Sequence, residues 1–588
     1  MSAISDNDTE TEVVSRNLCG VVDIGSNGIR FSISSKAAHH ARIMPCVFKD
    51  RVGIPLYDLQ YSIENQEQVP IPADIIDEVC AAMKRFRLIC EDFGVPETSV
   101  RVIGTEAIRN AINVEEFVRA IYRSTGWNVE VLSAEDEVRT GVYGVVSSFN
   151  IVSGLYFDLG SGTCKISWIQ CSDGEILQSS TPLTLPYGSS SLTRRMKTED
   201  SKKLFFEIKE ACHDLLTKIK IPESLISYAE ENGGFDLMTR GGGIRSMGHL
   251  LLAQTPDYPI QTIVNGLAYP YDEFSGMCDY LFVKGRIPDT QGTKIFKLSD
   301  KRAKQLPAVG LLMSAVFDAL PKLNTIYFSE GGVREGSLYS ILPREVRAED
   351  PLLMASRPYA PLLASRYLAL LETAIPDDDI PEIVRSRIAP ALCNLAFVHA
   401  SYPKELQPTA ALHVATRGII AGCHGLSHRA RALIGIALCC RWGGNIPDLE
   451  EKYMRNLEAL VLRHSSKVEA KRIVWWTKYI GTIMYVICGV HPGGNIRENV
   501  FDFVVSNRKE EALNISSLTI KNEHENGNEN ITKHKPREIE VYVRISKDEL
   551  KTSASVRARI IQLQKKVRKL SKGNFERVKI GVKFYEEY

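Results

Sequence analysis

No C-x-x-C pair occurs in the sequence, and its 13 cysteines are scattered and odd in number. That usage argues against a disulfide framework and for reduced, mostly buried thiols in the cytosol or nucleus. There is no basic, apolar leader: residues 1–12 (MSAISDNDTETE) are polar and acidic, so no signal peptide is expected. The longest uncharged apolar stretch, Tyr479–Val490, has twelve residues, where a spanning helix needs about 20. Charge of one sign is also missing, since 72 Lys and Arg stand against 71 Asp and Glu. A near-zero balance disfavours a whole-chain nucleic-acid or membrane-surface binder. A Walker A loop, a dinucleotide fingerprint and a G-x-S-x-G nucleophile elbow are all absent.

The 588 residues, 44% hydrophobic and 24% charged, have ordinary globular composition and are enough for three or four domains. The most informative feature is an internal echo. Residues 21–33 read VVDIGSNGIRFSI and residues 156–168 read YFDLGSGTCKISW. Aligning Asp23 with Asp158 also aligns Gly25 with Gly160, Ser26 with Ser161 and Arg30 with Lys165. Each copy reads as strand, tight turn, strand. One such hairpin is commonplace, but its repetition with the acid at the same place favours a shared role. Backbone N–H groups in a turn of small residues can hold phosphate oxygens, and an acid at the strand end can hold Mg²⁺ through water.

Further on, DLMTRGGGIRSM predicts a strand running through Gly241, Gly242 and Gly243 into a helix. From about residue 345 the alternating pattern gives way to Ala- and Leu-rich helical spacing, as in HRARALIGIALCCRW (428–442). His424 and His428 have the i, i+4 spacing of a zinc pair, but HGLSH lacks the intervening acid, and a satisfied or exposed pair is the expected reading. Trp475, Trp476 and Tyr479 read as helical core. Residues 521–536 hold a single apolar side chain, which predicts a flexible linker. Residues 538–588 carry thirteen basic and seven acidic residues and predict a strand, a long helix over Lys547–Leu570 and a second strand. The apolar stripe Val556, Ile560, Leu563, Val567, Leu570 should pack on the strands and leave Lys565, Lys566, Arg568 and Lys569 to water.

The motifs DIGSN (23–27), TEAIRNAIN (105–113), LSAEDEVRTGVYG (132–144), FDLGSGT (157–163), LPYGSSSLT (185–193), RGGG (240–243) and SEGGVREG (329–336) follow one another as in exopolyphosphatase/guanosine pentaphosphate phosphatases. The chain resembles that family over about residues 18–345. The resemblance implies an α/β fold of two actin-like (ribonuclease H-like) domains with a cleft between them. An all-helical domain and a small C-terminal α+β domain are expected to follow. The expected boundaries are a disordered 1–17, domain I over 18–145 with a return of about 320–345, and domain II over 146–319. Helical residues 346–506, a linker 507–537 and a basic domain 538–588 complete the chain.

The same resemblance implies Glu137 as the catalytic base that activates water, with Asp136 in support and Arg109 positioning phosphate. Asp23 and Asp158 would organise Mg²⁺. Gly25, Ser26, Asn27, Gly28, Gly160, Ser161, Gly162 and Thr163 would hold the phosphates of ATP or another nucleotide or polyphosphate, beside Gly241–Gly243. Two departures weigh against efficient turnover: Gly28 where the family carries a hydroxyl residue, and Ala134 where it carries glycine. The helical and basic C-terminal parts resemble a fungal branch of the family that signals from impaired mitochondria to nuclear transcription. That branch implies a regulator located in the cytoplasm, extending to the nucleus. Its protein partner would be a negative regulator of helix-loop-helix zipper transcription factors. The alternative is a Mg²⁺-dependent phosphohydrolase. A homodimer stays open; no membrane and no direct nucleic-acid contact is expected.

Overall fold

The structure, a computed structural model, describes residues 16–585 except 63–66, 180–182, 290–293, 377–379, 464–465, 495, 497–499, 508–536 and 573–575. Most of the N-terminal segment expected to be disordered and nearly all of the expected linker lie outside the described residues. The chain divides into two compact units, one of residues up to Met354 together with Cys423–His428, the other of Ala355–Gly422 together with Arg429–Tyr588.

The first unit holds two sheets. One consists of β1 (Leu18–Gly25), β2 (Gly28–Ser35), β3 (Cys46–Val52), β4 (Val100–Gly104) and β5 (Val129–Val131), in the order β3-β2-β1-β4-β5. The other consists of β6 (Val152–Leu159), β7 (Cys164–Ser172), β8 (Glu175–Gln178), β9 (Leu183–Leu185), β10 (Phe235–Gly241), β11 (Leu267–Pro270) and β12 (Leu323–Phe328). Its order is β11-β12-β10-β6-β7-β8, with β9 paired to β7. Read from the third strand inward, both sheets run two antiparallel steps and then two parallel ones. This is one topology used twice, the duplicated arrangement of the actin-like fold.

Each sheet face is buried for a reason visible in its strands. On β1, Val22 and Ile24 join a core with Ile29, Phe31, Met83 and Phe86 under the helix Ala73–Asp92. Cys19 and Val21, one position out of phase, join Ile103, Val142, Tyr156 and Tyr339 on the other face. Alternation on a strand covered on both sides sends neighbours to different cores. The second core is closed by the helices Ala134–Ser147 and Val333–Ser340. The return to the first sheet therefore begins at the helix, not near residue 320, because β12 hydrogen-bonds to β10 within the second sheet.

In the second unit, the helix Lys467–Val490 is long and apolar enough by length and composition to cross a membrane, yet 83% of its apolar window is buried inside the protein. Trp475, Trp476 and Tyr479 pack there as core. The stretch expected to be helical to residue 506 ends instead in β13 (Phe501–Asn507). That strand pairs antiparallel with β14 (Arg537–Ile545), which pairs parallel with β15 (Glu576–Phe584). The long helix expected before β15 is two helices, Lys547–Thr552 and Ala554–Ser571. Ser553 breaks it by leaving helical geometry and accepting a hydrogen bond from the Val556 N–H, as a cap does. Val556, Ile560, Leu563 and Val567 are buried as their spacing predicts, while Leu570 is only partly covered.

Candidate anion-binding cleft

The two echoed segments form hairpins in matching register. Asp23 lies opposite Arg30 across β1 and β2, and Asp158 lies opposite Lys165 across β6 and β7. The hairpin turns meet: Asn27 Nδ2 donates to Ser161 Oγ at 2.7 Å. Between them is a cavity of about 120 Å³ lined by Asp23, Gly25–Gly28, Asp158, Gly160 and Ser161 together with Glu106, Glu137, Gly241 and Gly242.

Gly28 has φ 134°, and a β-carbon there would stand 2.2 Å from the Val52 carbonyl oxygen. The departure from the family's hydroxyl residue is thus tied to the close approach of β3. Gly241, with φ 115°, similarly has no room against the Leu159 carbonyl. Gly242 opens the helix Gly242–Ala253 beside the Arg302 guanidinium, whereas Gly243 faces Leu159 and Val309 in the core and does not line the cavity. Gly162 and Thr163 sit just behind the turn, and Thr163 Oγ1 donates to Glu106 Oε2 at 3.0 Å.

The acids differ sharply in their surroundings. Glu137 is buried, and both of its carboxylate oxygens are engaged. Oε1 receives the Lys165 ammonium at 2.6 Å, and Oε2 receives Arg109 Nη1 at 2.9 Å and the Glu106 N–H at 3.1 Å. Burial alone would raise this carboxyl, but Lys165 and Arg109 outweigh it and hold it below the ordinary range. Asp158 pairs with Arg240 Nε at 3.2 Å, its neighbour on β10. Asp23 has Arg30 at 3.8 Å, and burial pushes its carboxyl up. Burial also raises Glu106.

Asp136 is not part of this group. It is exposed, accepts from Ser133 Oγ at 2.9 Å and lies 3.4 Å from Arg139, so it serves the start of the helix Ala134–Ser147 rather than the base. Arg109 reaches Glu137 from behind and donates also to the Leu132 carbonyl; it is outside the cavity lining.

The residues that sequence reasoning missed are mostly cations. Lys165, Arg240 and Arg302 line the cavity; the echo that aligns Arg30 with Lys165 and the RGGG motif that begins at Arg240 were the signals for the first two, and Arg302 had none. A second cavity of about 600 Å³ shares Asn27, Arg30, Gly242 and Arg302 with the first. It adds Arg51, Arg245, Lys297 and Lys301 against one acid, Glu330. Arg245 and Arg302 have no carboxylate within ion-pair distance among the described residues, and burial pulls each down to about 10. Arg302 Nη1 donates to the neutral Gln305 Oε1 at 2.9 Å, and cations kept partly out of water without a countercharge favour a multiply charged anion.

Among the described residues no cluster of three or more His, Cys, Asp or Glu side chains could cage a metal. The donor set fits Mg²⁺ only as the companion of a bound phosphate, with Asp23 and Asp158 supplying one or two carboxylates. His424 and His428 each engage a hydroxyl within the fold: His424 Nε2 lies 2.8 Å from Ser147 Oγ, and His428 Nδ1 lies 2.7 Å from Tyr258 Oη.

Residues 32–345 match the model of the Ppx/GppA phosphatase family, and residues 350–586 match that of the RTG2 C-terminal domain. The chain is 70% identical over 588 residues to Retrograde regulation protein 2 of Saccharomyces cerevisiae, covering all of both proteins. It is 23% identical over 274 residues to the guanosine-5'-triphosphate,3'-diphosphate pyrophosphatase of Aeromonas salmonicida, spanning 45% of this chain and 50% of that one. Among solved structures it is similar to the type II variant of the Aquifex aeolicus Ppx/GppA phosphatase, at 23% identity and a TM-score of 0.42, over 55% of this chain and 99% of the other.

Proposed function

The chain belongs to the Ppx/GppA phosphatase family, and from that premise we propose a regulator of mitochondria-to-nucleus retrograde signalling that holds a nucleotide or polyphosphate in its cleft. The likeness to Retrograde regulation protein 2 extends over both halves, which supports the signalling role. A protein that restrains helix-loop-helix zipper transcription factors would be the partner, engaged in cytoplasm or nucleus according to the cleft's ligand. Mg²⁺ arriving with the ligand would neutralise phosphate oxygens beside Asp23 and Asp158.

The observation that carries binding over turnover is Glu137. A general base needs a free lone pair directed at water and a pKa near the working pH. Glu137 already accepts from Lys165, Arg109 and a backbone N–H, which leaves about one of its acceptor sites for a water, and its carboxyl is held low. The phosphohydrolase reading is favoured by one feature, Glu106: burial raises its carboxyl, and it lines the cavity. If the chain hydrolyses phosphate, Glu106 is the better placed base.

Phosphate release with Mg²⁺ and tripolyphosphate, ATP or guanosine tetraphosphate decides between these, with Glu137→Ala and Glu106→Gln as controls and ligand binding by calorimetry in parallel. The regulator reading expects binding with release at the buffer rate. Release that Glu137→Ala abolishes overturns it, and release lost only in Glu106→Gln establishes the hydrolase.

A further inference from the structure

A cavity of about 440 Å³ lies in the second unit, where the helix Ala554–Ser571 meets the helices Asp448–Leu462 and Lys467–Val490 and the turn after His428–Arg441. One part of its wall is apolar, from Ile446, Met454 and Leu570. The rest is cationic, from Lys478, Lys566, Lys569 and Arg455, with Glu451 as the one lining carboxylate. Two of the cations are spoken for, Lys478 by Glu458 at 2.6 Å and Arg455 by Glu451 at 3.6 Å. Lys566 and Lys569 have no carboxylate partner among the described residues.

Lys566 was expected to face water with its neighbours, and Lys565, Arg568 and Lys569 are exposed. Lys566 instead adjoins the buried Val567 and is drawn into the cavity, where its ammonium donates to the Gly443 carbonyl. Gly443 and Gly444 both have positive φ, 96° and 62°, a turn that glycine makes without strain. The ammonium also lies over the Tyr485 ring, 5.5 Å from its centroid. One carbonyl and a ring face replace only part of the water that an ammonium leaves behind, and burial accordingly lowers Lys566. An apolar wall beside two lysines without carboxylate partners, in a cavity of small-molecule size, is the composition of a site for an amphiphilic anion.

We infer that this cavity binds a small organic anion, its apolar body against Ile446, Met454 and Leu570 and its phosphate or carboxylate head on Lys566 and Lys569. The ligand would touch the helices Asp448–Leu462 and Lys467–Val490 on one side and Ala554–Ser571 on the other. Occupancy would therefore hold the C-terminal helix and sheet against the helical part. The site is independent of the phosphate cleft in the first unit.

The test is calorimetric titration of the full chain with octyl phosphate, octanoate and inorganic phosphate. One amphiphile should bind at a single site, with inorganic phosphate at least about tenfold weaker for want of an apolar body. The tighter of the two amphiphiles identifies the head group. Lys566→Met and Lys569→Gln should each weaken that binding by about tenfold or more and leave tripolyphosphate binding unchanged. Lys569 is exposed, so Lys569→Gln reports on the site even if Lys566→Met disturbs folding. The inference is overturned if neither amphiphile binds the wild type below about 1 mM, or if Lys569→Gln binds as tightly as the wild type.

Discussion

Lys165 and Glu137 show how a side chain's role can depend on one neighbour. Glu137 gains more from Lys165 and Arg109 than it loses by burial, so its contribution to stability is present above the ordinary carboxylate range and lost as pH falls. Lys165→Met removes the closer cation and leaves a buried charge partly unpaired. The variant should lose about 3 kcal/mol in urea unfolding at neutral pH, and the deficit should shrink toward acid pH as Glu137 takes a proton. A deficit independent of pH would show that Lys165 acts through packing alone. Asp236 behaves oppositely. Burial raises it from 3.8 to about 7, and its Oδ1 has no hydrogen-bond partner. The folded state binds this proton more tightly than the unfolded one, so the contribution is full at low pH and lost as pH rises through 7. Asp236→Asn should therefore gain on the wild type as pH rises from 3.8 to about 7, by up to about 4 kcal/mol, and level off above.

Among elements, the helices Ala134–Ser147 and Val333–Ser340 cross with their backbones in close approach. A β-carbon on Gly336 would stand 1.8 Å from the Thr140 carbonyl oxygen, and one on Gly144 would stand 2.3 Å from that of Gly332. Backbone meets backbone with no side chain able to yield. Gly336→Ala should cost at least about 1–3 kcal/mol in thermal or urea unfolding, and a neutral result would mean that the helices can separate freely. The first of these helices carries Glu137, and the second follows the loop SEGG. The two hairpins, the strand into Gly241 and the helix after it were all legible in the sequence, since turn residues and period-two alternation are local signals. The break at Ser553 and the strand β13 were not. β13 takes its place from pairing with β14, across a stretch that local patterning cannot bridge.

For the molecule as a whole, a ligand that binds only the folded cleft raises stability by mass action, about 2.7 kcal/mol at a hundred times its Kd. Tripolyphosphate should raise the melting temperature of the first unit, and added salt should shrink the effect because the cations around the cleft are partly solvated. Gly25→Asp places a carboxylate beside Asp23, where a β-carbon itself has room. It and Asp158→Ala should lose both the thermal shift and partner engagement. A folded variant of either kind that still engaged the partner would separate signalling from the cleft.

The sequence by itself determined the two-hairpin plan, the glycines that the turns require, the acids at the strand ends and the buried stripe of the C-terminal helix. These follow from spacing along one chain, where period and turn chemistry act between near neighbours. Only the tertiary structure decided that Asp136 is a surface residue, that Glu137 is held between Lys165 and Arg109, and that Arg245 and Arg302 stand beside the cleft without a carboxylate partner among the described residues. It also decided that Lys566 turns inward onto Gly443. Charge depends on what stands within a few ångströms, and those neighbours come from strands and helices far apart in the chain.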